Sequence, residues 1–99
     1  MSYGGWVYIM ASTNDSTLYV GSTSCLAARI SQHKEKVFPT SFTARYNCIK
    51  LVYYRFFKTI RQAIREENRI KGGNRKQKEM LIRKMNPGWR DLYEEIKFL

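Results

Sequence analysis

The stretch from Ile49 to Phe57, I-K-L-V-Y-Y-R-F-F, constrains this chain more than any other segment. It is the most strongly β-forming run in the sequence, rich in β-branched and aromatic residues, and it commits the chain to a sheet. It is expected as the central or third strand. Two shorter strands precede it. Trp6 to Met10 has the same character, and Leu18 to Gly21 follows after a polar cluster of Ser12, Thr13, Asn14, Asp15 and Ser16. The pair reads as a hairpin with a loop longer than the tightest types. Side chains alternate along strands, so Tyr8 shares a face with Trp6 and Met10, and Tyr19 shares one with Gly21.

Helices account for most of the rest. Thr23 or Ser24 is the expected N-cap of the first, whose apolar side is Leu26, Ala27, Ile30 and Val37. Arg29 and His33 lie one turn apart at the border of that stripe. Phe38 to Asn47 reads as a loop. Thr59 caps a second helix, which Gly72-Gly73-Asn74 is expected to end through left-handed backbone. A third helix spans Arg75 to Met85 with Met80, Leu81 and Met85 turned inward. Asn86-Pro87 reads as a helix restart, followed by an apolar side of Trp89, Leu92, Tyr93 and Ile96. The order ββαβααα implies an α+β domain: a small antiparallel sheet of about three strands, flanked by helices.

Composition narrows the function. The chain has 99 residues, enough for one domain with its own core, and 43% are hydrophobic, which excludes disorder. No apolar run approaches the ~20 residues of a membrane span. The N-terminal Met1 to Trp6 lacks the basic-then-apolar pattern of a secretion leader. Cys25 and Cys48 have neither zinc-ligand spacing nor disulfide density, so two free thiols in a reducing cytoplasm are expected. Eighteen Lys and Arg against eight Asp and Glu leave a net charge of +10. That balance suits a polyanion, and nucleic acid is the expected partner.

One glutamate stands out against this basic background. The second helix has apolar positions Ile60, Ala63, Ile64 and Ile70, and Glu67 falls within their stripe. Glu66 projects about 100° to one side. A carboxylate on the inner side of a helix is costly unless a cation, a metal or a hydrogen-bond network compensates it. Tyr8 with Tyr19, Arg29 with His33, and Glu67 would each pass alone as core packing, surface charge, a structural histidine or an ion pair. A shared site accounts for all of them together.

The same residues carry a resemblance. W-V-Y at 6 to 8 and Y-V-G at 19 to 21 resemble the paired signature of the GIY-YIG nucleases. L-A-A-R-I-S-Q-H-K from Leu26 to Lys34 is similar to that family's arginine-and-histidine helix. A-I-R-E-E-N-R-I-K from Ala63 to Lys71 is similar to its glutamate helix. F-T-A-R-Y-N, L-V-Y-Y and N-P-G-W-R-D-L-Y resemble a small stand-alone bacterial subgroup of predicted endonucleases. Trp6 and Val7 replace the first two residues of the leading motif, whereas its tyrosine is retained.

The resemblance implies hydrolysis of DNA phosphodiester bonds with one divalent metal, Mg²⁺ or Mn²⁺. By position, Glu67 would be the metal ligand and Arg29 would steady the scissile phosphate. Tyr8 or Tyr19 would be the base or a phosphate hydrogen-bonding group, with His33 assisting. Gly21 would permit close approach of the backbone, and Lys34 joins it as a phosphate contact. Residues 4–81 would form the nuclease domain and 82–99 a helical extension packed on the same core. The expected activity is structure-selective or weakly sequence-specific, in DNA repair or processing. The alternatives are a catalytically idle basic DNA- or RNA-binding module, or a scaffold subunit docking through Trp89, Leu92 and Tyr93.

Overall fold

A computed structural model describes residues 4–99 of the chain. Met1 to Tyr3, part of the segment read for a leader, lie outside the described residues. The strands are β1 (Gly5–Ala11), β2 (Leu18–Thr23) and β3 (Lys50–Phe57). The helices are α1 (Leu26–Lys34), α2 (Phe42–Arg45), α3 (Ile60–Lys71), α4 (Arg75–Met85) and α5 (Tyr93–Ile96). The sheet is antiparallel in the order β2-β1-β3, as an α+β domain of this kind requires.

β1 is the central strand, and β3 lies at an edge. Val7 to Ala11 are all buried, because β1 has helices on both faces. That is why the strand reads as a continuous apolar run rather than an alternating one. A bulge opposite Ile9 and Met10 shifts the β1–β3 register. It leaves Leu51 on one face of β3 and both Val52 and Tyr53 on the other.

The sheet therefore separates two cores. Tyr8, Met10 and Leu51 pack with Leu26, Ala27 and Ile30 of α1 and with Leu92 and Ile96 near the C-terminus. Val7, Ile9 and Val20 pack with Ile70 of α3 and Ile82 of α4. No helix among the described residues is long and apolar enough to cross a membrane. Both cysteines are free thiols.

Several local expectations are corrected. Cys25, not Thr23 or Ser24, takes the N-cap of α1, without a side-chain hydrogen bond, and Val37 is exposed beyond the helix end. The expected loop at 38–47 contains α2, capped by Ser41, whose Oγ accepts from the Ala44 amide. Thr59 does cap α3, in a reciprocal box with Gln62. Gly72 ends that helix in ordinary right-handed backbone, φ −73°. Asn74 then starts α4 with its own capping box to Gln77. Ile82, not Met80 or Met85, is the buried residue of α4.

Asn86-Pro87 does not restart a helix. Asn86 is buried, and its Nδ2 donates to the carbonyls of Val52 at 3.2 Å and Arg90 at 2.8 Å. The next turn continues the patch on the β3 edge. The Leu92 amide donates to the Leu51 carbonyl at 2.8 Å, and Asp91 Oδ1 accepts from the Leu51 amide at 3.2 Å. This side-chain and loop pairing covers strand groups that an edge would otherwise expose. Leu92 is buried, and Trp89 and Tyr93 are half-buried, so the patch required by the scaffold alternative is not an open surface.

Candidate active site

Tyr8 and Gly21 face each other across the β1–β2 ladder. A Cβ at Gly21 would lie 2.5 Å from the Tyr8 hydroxyl oxygen and 3.0 Å from Tyr19 Cε2. No glycine among the described residues has positive φ, so the requirement at Gly21 is for space and not for an unusual backbone. The Tyr8 and Tyr19 rings lie 6.3 Å apart. α1 delivers His33 onto the same side because its buried face carries Leu26, Ala27, Ile30 and His33 together. His33 Nε2 and the Tyr8 hydroxyl share a hydrogen bond of 2.8 Å. On the other side of the ring, Nδ1 and Thr43 Oγ1 share one of 2.9 Å. The α2 turn thus holds the imidazole, and the Tyr19 ring packs edge-on against it at 5.5 Å.

Burial and then the nearby Arg29 guanidinium push the His33 pKa down to about 4, so the imidazole is neutral at pH 7. Burial raises the Tyr8 pKa. Tyr19 and Glu67 add to the rise, and Arg29 opposes it without overcoming it. Tyr8 therefore carries its proton in the resting protein. Arg29 has its Nη1 on Gln32 Oε1 at 3.1 Å and its guanidinium over the Phe38 ring at 5.7 Å.

A stability effect follows from His33. The unfolded chain takes up a proton on this imidazole near pH 6.5, while the folded chain resists it down to about pH 4. The unfolded state binds more protons in that window, so stability rises with pH across it. The contribution is fully present above about pH 6.5 and is lost as pH falls toward 4, on the order of 3 kcal/mol in all. Urea melts between pH 4 and pH 7 should show this slope, and His33→Gln should flatten it. Parallel profiles for the two proteins would rule it out.

Glu67 reaches the site from the other side of the sheet. Its Oε1 accepts from Ser22 Oγ at 2.5 Å, and its Oε2 pairs with Lys71 Nζ at 2.6 Å. Ser22 is the strand neighbour of Gly21 and faces away from Tyr8, so the site straddles the edge strand β2 at Gly21–Ser22. The expectation that burial singles out Glu67 is corrected. Glu66 and Glu67 side chains are 12% and 15% exposed, because Ala63 and Ile70 form the buried line between them while Ile60 and Ile64 are exposed. The surroundings separate them instead. Glu66 turns toward β3, with Arg69 at 2.6 Å and Arg55 at 3.9 Å, and these cations help hold its carboxyl below the usual range.

Tyr8, Tyr19, Gly21 and His33 thus meet on one face of β2, with Arg29 near enough for its charge to act on Tyr8 and His33, and Glu67 joins β2 from the opposite face through Ser22. Lys34 does not join them. Its ammonium pairs with Asp91 and donates to the Ile49 carbonyl at 2.9 Å, tying α1 to the segment that covers β3. Ser22 and Thr43 were not foreseen. Thr43 had a signal in the sequence, since Ser41 before Phe42 is a legible helix cap, but nothing local marks Ser22 as a partner for a residue 45 positions later.

The sequence profile of the GIY-YIG catalytic domain matches residues 4–80, which include every residue gathered at β2. The chain belongs to the GIY-YIG family. UPF0213 protein CPE1444 of Clostridium perfringens is 38% identical over 77 residues, covering 78% of this chain and 81% of that protein. The solution NMR structure of UPF0213 protein BH0048 from Bacillus halodurans superposes with a TM-score of 0.56 at 24% identity. That match covers 89% of this chain and 92% of the other, and it shows a shared fold. The GIY-YIG domain is of nuclease type, which makes nucleic acid the substrate class.

Proposed function

We propose that this GIY-YIG protein is a metal-dependent endonuclease that hydrolyses DNA phosphodiester bonds, structure-selectively or with weak sequence preference, in DNA repair or processing. The observation that carries this reading is the convergence at β2 of a hydrogen-bonded Tyr8–His33 pair, the Arg29 guanidinium and the Glu67 carboxylate. An idle binding module needs the net charge of +10 but has no use for that convergence.

Glu67 is the residue to hold the metal. Among the described residues no three His, Cys, Asp or Glu side chains gather as a metal cluster, so an all-protein cage is not available. The donor set at Glu67 is hard oxygen: one carboxylate beside the Ser22 hydroxyl. That suits Mg²⁺ or Mn²⁺, since Mg²⁺ keeps much of its water and commonly takes only one or two carboxylates plus substrate phosphate. Lys71 sits on the other oxygen, but its side chain is half exposed, and such pairs contribute little. When bound, the metal supplies positive charge to the reacting phosphate and leaving oxygen.

The chain's own groups do the rest. Arg29 presents a planar fork of donors to the phosphate. Tyr8 is protonated, so it cannot begin as a phenolate base. With His33 Nδ1–H donating to Thr43, Nε2 is free to accept. Tyr8 then takes a proton from the attacking water as it passes its own to His33. The imidazole is neutral at pH 7, so a ring nitrogen has the lone pair that this relay uses.

The test is cleavage of supercoiled plasmid and labelled duplexes with Mg²⁺ or Mn²⁺. Arg29→Ala should cut about 10²–10³ times more slowly with an unchanged circular dichroism spectrum. Folded wild-type protein that binds DNA yet cuts no substrate with either metal would reduce the protein to a binding module.

A further inference from the structure

We propose that α2 and its flanks form a stacking platform for unpaired nucleobases, and that the substrate is therefore DNA with a single-stranded segment at the cleavage site. Phe42 and Tyr46 are 45% and 48% exposed, and their rings pack against each other, tilted by 40°, with centroids 4.7 Å apart. Phe42 in turn lies 6.1 Å from the Tyr19 ring, so the aromatic row begins at a residue of the candidate site and runs outward from it. Phe38, 51% exposed, carries the Arg29 guanidinium over its ring at 5.7 Å.

The charge beside these rings fits a nucleic acid strand. Arg45 sits over Tyr46 at 5.8 Å, and neither Arg45 nor Lys36 has a carboxylate within ion-pair distance among the described residues. Aromatic faces interleaved with free cations are the arrangement by which single strands are held, because every base offers a π-face and every linkage a charge. A duplex hides those faces within its own stack. The platform is also rigid. Ser41 caps α2, Thr43 Oγ1 bonds His33, and the Thr43 carbonyl accepts from the Cys48 amide at 2.8 Å. An apolar surface left open by accident would have no reason to be fastened to the imidazole of the site.

The position of the platform beside the reacting phosphate rests on the nuclease reading. The stacking itself does not, and the experiment separates them. Binding is measured in EDTA by fluorescence anisotropy, with an oligothymidylate of about 12 nucleotides, within the span of small single-strand grooves, and with a duplex of equal length. Phe42→Ala should weaken single-strand binding at least about fivefold, the lower end of one aromatic–base stack, and change duplex binding less than about twofold. The salt dependence should not change. Arg45→Ala should weaken both ligands and reduce the salt slope by about one.

Equal loss for both ligands, or no loss for either, would overturn the proposal. Should Phe42→Ala fail to fold, the wild-type protein still decides. A 2-aminopurine base in the oligonucleotide must change its emission on saturation, and unchanged emission rules stacking out. Cleavage with unaltered Phe42→Ala binding would sink the platform and keep the nuclease. Stacking without cleavage by the wild type would do the reverse.

Discussion

Glu67→Gln should lower metal-dependent cleavage by about a thousandfold or more, the rate equivalent of several kcal/mol of lost charge stabilisation. The substitution keeps the shape of the side chain and its acceptor for Ser22, whose Oγ lies 2.5 Å from Oε1. Stability should therefore change little. The competing account is a structural ion pair with Lys71, and it has its own control. Lys71→Met breaks the same pair from the other end. If Glu67 serves only the pair, the two variants behave alike. If it holds the metal, only Glu67→Gln abolishes Mn²⁺ binding measured by electron paramagnetic resonance, and Lys71→Met retains or tightens it. A Glu67→Gln protein that binds Mn²⁺ and cuts like the wild type would end the metal-ligand assignment.

Gly21→Ala should both destabilise the protein and slow cleavage. The new Cβ would lie 2.5 Å from the Tyr8 hydroxyl oxygen and 2.6 Å from its Cζ. Tyr8 is fully buried, so its ring cannot swing into solvent to make room. Overpacking of this kind costs about 1–3 kcal/mol. In a domain of this size that lowers Tm by about 4–8 °C for each kcal/mol. The displaced hydroxyl also leaves its 2.8 Å partner His33 Nε2, and misplacement by about 1 Å can cost 10²-fold in rate. Differential scanning calorimetry and the plasmid assay read the two effects separately. A Gly21→Ala protein with wild-type Tm and rate would show that Tyr8 is not held where the structure puts it.

Both predictions depend on β2 being an edge strand with functional groups on its two faces. The sequence allowed part of this. Alternation placed Tyr19 and Gly21 on one face, and the helical wheel placed Arg29 and His33 within a turn of each other. The paired tyrosine motifs carried the family resemblance. Fold class was legible because strands and helices announce themselves in local pattern: β-branched runs, a Thr59 cap, Gly and Asn at breaks. The short α2 is not legible as a helix because four residues give no periodicity to read. Asn86-Pro87 is ambiguous in sequence because the same two residues can cap a helix or, as here, pin a loop to a bulged strand edge.

Local sequence determined the elements, their order and the chemical inventory of the site: two tyrosines, an arginine, a histidine, an available glutamate and a glycine with no side chain to obstruct them. Tertiary structure alone decided which members of that inventory meet. It turned Glu66 toward Arg55 and Glu67 toward Ser22, although burial treats them nearly alike. It committed Lys34 to Asp91 and removed it from the site. It buried His33 among Tyr8, Tyr19 and Thr43, and that desolvation keeps the imidazole neutral beside Tyr8. Periodicity specifies an angle about an element's own axis. A partner, a desolvated environment or a shifted pKa depends on what other elements bring to that angle, and only the packed sheet and helices supply it.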